Sequence, residues 1–287
     1  MAVSEFITTH SKEGGAIYIY GPNATVDKSK FVDSHAAFGG AIYIEGINTT
    51  VTDSGFINTN VGQVCEWGDA HYGDPTGYVA PVEGDGGAIY ISGTDARLEG
   101  VTSTISTAKN GGAIYIKQGG NNAHISNANI TKSSATVDGG AIYIYGNFAE
   151  ISDSYINGTQ ARASSGFTDK NLGGAIYIQG TDAKVGATIV DAHAYDGGAI
   201  YIKQGGNKAN ISNSNISDSR ATNMGGAIYI YGESAYVINS SFVNCSAKSV
   251  SGYVNNNQGG AIFIQGNHAN ITDSRFESND ARKGGAI

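Results

Sequence analysis

Apolar positions in this chain do not follow a helical stripe. They recur in short alternating runs, punctuated by glycine, asparagine and aspartate. The clearest run is Gly-Gly-Ala-Ile-(Tyr or Phe)-Ile, which begins at Gly14, Gly39, Gly86, Gly111, Gly139, Gly173, Gly197, Gly225 and Gly259, with a partial copy at Gly284. After it come a turn glycine (Gly21, Gly46, Gly93, Gly146, Gly180, Gly232, Gly266) and an apolar-x-apolar pair such as Ala96/Leu98 or Ala149/Ile151. A third apolar site follows (Phe31, Phe56, Ile130, Ile156, Ile216, Phe242, Phe276), and an alanine closes the unit. Alternation with period two marks half-buried strands. The residue after the motif is variable and mostly polar (Tyr20, Glu45, Ser92, Lys117, Gln179, Lys203), so it belongs outside. By the same alternation the motif Tyr and Ala face outward and the two Ile face inward.

The shortest spacing, 24 to 25 residues, suits one coil of three short strands and three turns. Internal repetition of this kind marks a solenoid. The β-branched content favours strands, and the absence of a strict hexapeptide repeat argues against a left-handed coil. The expectation is all-β: a right-handed parallel β-helix of about ten coils, a single domain over residues 1–287. A longer period overlies the short one. Coil lengths run 25-28-34 and then 24-28-34 from Gly86 onward, so every third coil carries extra residues just before the next motif. The insertions share a signature: Thr76-Gly77-Tyr78-Val79, Ser165-Gly166-Phe167-Thr168 and Ser251-Gly252-Tyr253-Val254. They should collect on one edge, about 14 Å apart at the usual strand spacing, and insertions gathered on one edge of a solenoid often form its binding face. Both ends of the chain fall inside a repeat, so a segment of a longer protein is expected, with signal, anchor and caps outside it.

These residues carry a resemblance. GGAIYI with Ser/Thr-x-Phe/Ile strands between copies resembles the adhesin-like surface proteins of methanogenic archaea, and is similar to the polymorphic outer-membrane proteins of some bacteria that bear GGAI. The resemblance implies a pectin-lyase-like β-helix and attachment at the cell surface: an extracellular location, and as partner a host or neighbouring cell through carbohydrate or protein.

Composition narrows the alternatives. The net charge is −8 and no basic stripe exists, which speaks against nucleic acid. No apolar run is long enough to span a membrane. No His, Cys or acidic spacing suggests a metal, and no cofactor motif is present. Cys65 and Cys245 lie six coils apart, too far to pair within the chain. Nine sequons (at Asn23, Asn48, Asn129, Asn157, Asn210, Asn215, Asn239, Asn244 and Asn270) are candidate glycan acceptors.

Three features are candidates for function. The first is a ladder of Tyr18, Tyr43, Tyr90, Tyr115, Tyr143, Tyr177, Tyr201, Tyr229 and Phe263, widened by Tyr20, Tyr145 and Tyr231; it is read as scaffold, with an aromatic platform as the functional alternative. The second is the insertion from Val61 to Asp85, with the sole Trp and five acids but no Lys or Arg. The third, preferred as the ligand-binding set, is the loop aromatics Trp67, Tyr72, Tyr78, Phe167 and Tyr253. A polysaccharide lyase or glycosidase is the alternative, and a passive stalk the third possibility. Glycoside hydrolysis needs two carboxylates at a set separation. The outward charges Glu45, Lys117 and Lys203, and Arg97, His124, Glu150 and Lys184, sit on separate coils without an evident acid pair, so no catalytic residue is assigned.

Overall fold

A computed structural model describes residues 4–62, 84–163, 165–168, 171–249 and 256–287. The described residues form a right-handed parallel β-helix whose three walls are parallel sheets. One wall is built from the motif: nine three-residue strands, from Ile17–Ile19 to Ile262–Ile264, each paired in register with the next. A second sheet has seventeen strands, and a third has ten, from His10–Glu13 to Asp280–Ala281.

The seventeen-stranded wall departs from three strands per coil. In most coils it is bent in the middle, so that Thr25–Asp27 and Ser29–Val32 count as separate strands. The bend falls on residues with positive φ: Lys28, Asp53, Gly100, Asn127, Asn213, Asn239 and Asp273. Asn, Asp and Gly tolerate that left-handed geometry best. The 24-residue coil lacks one residue here, and its strand Lys184–Val190 runs straight through.

The inward columns follow the repeat. Phe31, Phe56, Ile130, Ile156, Ile216 and Phe242 are fully buried, as are the paired motif isoleucines from Ile42 to Ile230. Phe6, Phe31 and Phe56 stack with ring centroids 4.9 Å apart. The motif alanines differ from the alternation. Ala41, Ala88, Ala113, Ala141, Ala175, Ala199, Ala227 and Ala261 are fully buried within the core. The cause is a bend before the strand: the amides of both Ala41 and Ile42 donate to Ala88 O, at 2.9 and 3.0 Å, and this doubled pairing recurs from coil to coil. Two consecutive side chains thereby turn to the same side, and period two starts only at the isoleucine.

Both motif glycines are required by the backbone. Gly139 has φ of 64°. A Cβ on Gly140 would run into the carbonyl oxygen of Gly174 in the next coil and the backbone of Gln160. At the corners, polar side chains pair across coils: Asn48, Asn239 and Asn244 donate to Asn23, Asn213 and Asp218 at 2.6 to 2.7 Å. Each of those three donors belongs to a sequon, so glycosylation there would disrupt a corner hydrogen bond.

Cys245 is free and buried in the core, and burial pushes its thiol up to about 12; Cys65 lies outside the described residues. Two substitutions test this account. Ile178→Ala should cost about 2–5 kcal/mol through the cavity left in a full column. Gly140→Ala, a change of one methyl group, should lower the thermal midpoint at least as much, because its clash is with backbone that cannot swing aside. Equal stability of Gly140→Ala and the wild type in thermal unfolding would refute the second claim.

Candidate functional site

The tyrosine ladder is in register, Tyr43 against Tyr90, Tyr115, Tyr143, Tyr177, Tyr201 and Tyr229. From Tyr18 to Tyr229 successive centroids are 4.6 to 5.5 Å apart with interplanar angles of 9° to 27°, and Phe263 ends the stack at a 48° tilt. The rings stand outside the coil wall, opposite the isoleucines, but they are not an exposed platform. The seven from Tyr43 to Tyr229 are only 2 to 9% exposed, because each covers its neighbours and because Phe38, Leu172 and Met224 on one flank and Tyr145 and Tyr231 on the other pack against them. Only Tyr18, at the end of the stack, presents 44% of its surface. Tyr143 donates to Gln179 Oε1 at 2.8 Å, and Tyr18 and Tyr229 donate to Glu45 and Gln265. The ladder forms a second apolar cluster, separated from the core by the motif wall.

Beside the ladder runs a column of residues that precede each motif. Asp138 Oδ1 accepts from the backbone amide of Leu172 at 3.0 Å, and Asp196 Oδ1 from that of Met224 at 2.9 Å. Burial pushes the Asp138 carboxyl up to about 7 and that of Asp196 to about 6, while these amide hydrogen bonds oppose the shift. The two acids belong to coils separated by one other, with the apolar Leu172 between them in the column.

A cleft bordered by described residues lies elsewhere. It measures about 560 Å³ and lies on the outer side of the ten-stranded wall, between the long turns of coils five and eight. That volume is in the range of small-molecule sites, roughly 300–1,000 Å³. Its floor follows from register. Gln160 pairs with His193 and Ala194 with Ala221, so Arg162, Tyr195, Thr222 and Lys248, each following a buried alanine, fall into one column. Tyr195 and Thr222 line the floor with Asn223; Arg162, Gly166 and Phe167 form one side, and Ser249 and Asn256 the other. The Arg162 guanidinium lies 5.3 Å from the Phe167 ring centroid, a cation–π arrangement.

Two asparagines anchor the long turns. Asn171 is buried; its Nδ2 donates to Thr136 O at 2.9 Å, and its Oδ1 accepts from Thr168 N at 2.7 Å and Ala163 N at 3.3 Å. Asn257, the equivalent residue three coils on, donates from Nδ2 to Thr222 O at 3.0 Å and Asn223 O at 3.1 Å. Each fastens its turn to the backbone of the preceding coil. Asn223 Nδ2 in turn donates to Asp196 Oδ1 at 2.9 Å, and Arg220 donates to Lys248 O at 3.3 Å. The cleft is thus held by side chains whose own orientations are set.

Of the loop aromatics expected to bind, Phe167 lines the cleft; Trp67, Tyr72, Tyr78 and Tyr253 lie outside the described residues. Sequence reasoning missed Arg162, Tyr195, Thr222, Asn223, Ser249 and Asn256. The residue at the floor position is small in coils one and two (Ala37, Gly62), then Lys109 and Thr136, and Arg162, Tyr195, Thr222 and Lys248 in coils five to eight, so the sequence signal for the floor was weak. The charged column Arg97, His124, Glu150 and Lys184 is brought into register, with Glu150 3.8 Å from His124 and 4.0 Å from Lys184. It contains one isolated pairing acid and no carboxylate pair.

Fold and cleft together define a β-helix with a polar-aromatic groove on one wall. Among solved structures the chain is similar to the tailspike protein of E. coli bacteriophage HK620. A double mutant of that tailspike in complex with a pentasaccharide superposes with a TM-score of 0.57 at 11% identity, covering 96% of this chain and 47% of that one. A single mutant, also in complex with a pentasaccharide, gives 0.56 at 11% identity over 96% and 46%. The chain therefore spans about half the length of these relatives in fold. No protein-family model and no curated protein sequence matches it.

Two expectations follow. Because Asp138 and Asp196 carry raised pKa values when folded, the folded state holds protons that the unfolded chain, near 3.8, has released. Their contribution to stability is complete below about pH 4 and is lost as pH rises to 7, by about 1.4 kcal/mol per unit and per group across each interval. The loss in urea stability between pH 5 and pH 8 should therefore be smaller in the Asp138→Asn/Asp196→Asn double variant than in the wild type; equal slopes would contradict the assignment. Tyr177→Ala should lower stability by about 3 kcal/mol in urea unfolding.

Proposed function

We propose that this chain is a carbohydrate-binding β-helix of an extracellular, adhesin-type surface protein, and that its glycan site is the cleft between the long turns of coils five and eight. The observation that carries the reading is the lining. Two aromatic side chains, Phe167 and Tyr195, stand among hydrogen-bonding groups of Arg162, Thr222, Asn223 and Ser249. Sugars present an apolar C–H face and a rim of hydroxyls, which such a mixture complements. The pentasaccharide complexes of the tailspikes support carbohydrate as the ligand class. The GGAIYI repeats support the surface role, with a host or neighbouring cell as the partner.

A second reading, a glycan-cleaving enzyme, has one observation in its favour. Asp196, with its carboxyl raised to about 6, lies directly behind Asn223 of the cleft. A carboxyl poised near neutrality suits a general acid. Against it, Asp196 does not line the cleft, its Oδ1 is engaged by Asn223 Nδ2 and Met224 N, and no described lining residue is a carboxylate.

The two readings separate in one series of measurements on a panel of bacterial and plant oligosaccharides. The expected result is retention without release of new reducing ends, with affinity reduced about tenfold or more in Phe167→Ala and in Tyr195→Ala, a loss of roughly 1.4 kcal/mol or more. Reducing ends that appear with the wild type and vanish with Asp196→Asn would favour the enzyme instead. Binding that survives both aromatic substitutions would remove the cleft as the site.

A further inference from the structure

The described lining of the cleft differs in charge from the chain as a whole. The chain carries a net charge of −8, yet the described residues that line the cleft include a cation, Arg162, and no acid. Four basic side chains elsewhere pair with carboxylates: Lys28 with Asp27, Lys30 with Glu5, Lys184 with Glu150 and Arg275 with Glu277. Arg162 is different. Among the described residues no carboxylate lies within ion-pair distance of it, and its one polar interaction is with the face of Phe167. Stacking on a ring restricts the guanidinium plane and leaves its edge, with the N–H fork, available to an anion.

Two more groups belong to the same surface. Arg220, one coil below the far turn, points its guanidinium at the carbonyls of Lys248 and Ser249, with no carboxylate within ion-pair distance among the described residues. Thr222 Oγ1, on the floor, is buried and without a hydrogen-bond partner among the described residues.

We infer that the cleft takes an acidic sugar, with Arg162 as the residue that reads its anionic group, a carboxylate or a sulfate. This rests on the carbohydrate reading above and narrows it. Phe167 would serve twice, as a stacking surface and as the support that orients Arg162. A neutral sugar would leave the guanidinium without its anion and would bind more weakly in the same place.

The test uses the full 287-residue chain and matched probes. Hyaluronan and alginate oligosaccharides are compared with their carboxyl-reduced forms, and carrageenan oligosaccharides with their desulfated forms, by titration calorimetry at two salt concentrations. At least one acidic form should bind about tenfold or more tightly than its neutral counterpart, with the advantage shrinking in high salt; the arm that shows the larger ratio identifies the anion. Arg162→Gln should bring the acidic form down to the affinity of the neutral one. Arg162→Lys, which keeps the charge but loses the fork, should restore only part of the difference. Arg162 is exposed and outside the core, and unchanged thermal unfolding of both variants would exclude misfolding as the cause. Neutral forms that bind as tightly as acidic ones in the Phe167-dependent site would overturn the inference and leave the carbohydrate reading intact. An acidic preference that persists in Arg162→Gln would equally overturn the role of Arg162. Absence of binding by every acidic and neutral probe would count against both.

Discussion

Parallel, in-register pairing between successive coils is the interaction on which the rest depends. Each strand hydrogen-bonds to the equivalent strand of the next coil, so a residue type repeated in sequence becomes a column in space. Ile42, Ile89, Ile114 and Ile142 are one column, and Tyr43, Tyr90, Tyr115 and Tyr143 another, only because the register never slips along the motif wall. The second motif glycine is what permits that closeness. With a Cβ there, adjacent turns could not approach to pairing distance. The core and the ladder are two consequences of the same geometry, on opposite sides of one sheet.

Columns of identical groups also carry a hazard, since like charges would stack as readily as rings. The corners and flanks show how it is managed. At two places in a corner column an Asn follows an Asp, Asn58 on Asp33 and Asn244 on Asp218, so that an amide donates to the carboxylate of the preceding coil. Beside the ladder, Asp138 and Asp196 are separated by Leu172, and each accepts a hydrogen bond from a backbone amide of the coil that follows it. Their carboxyls are raised because they are buried there, and the proton-linked stability that results belongs to the scaffold. The cleft lies where this regularity gives way, beside the longer turns that Asn171 and Asn257 fasten to the preceding coil.

How much could be read in advance varied with the distance over which each feature is encoded. Solenoid architecture and coil boundaries follow from spacing alone, because pairing turns a linear period into a pitch. The inward isoleucines follow from alternation. The alanine of the motif does not, because the doubled hydrogen bond to one carbonyl before the strand reverses its side. Outward placement of the tyrosines was legible, but their burial was not. Alternation reports the side of a strand and says nothing of what neighbouring rings and flanking side chains cover.

The sequence by itself therefore determined the β-helix, its two apolar columns and the edge on which the longer turns lie, since all three depend on periodicity and local backbone preference. Tertiary structure alone decided the cleft. Arg162, Tyr195, Thr222 and Ser249 are separated by up to 87 residues and belong to four coils. Only the register of the ten-stranded wall brings them within one groove, between two turns fastened by Asn171 and Asn257.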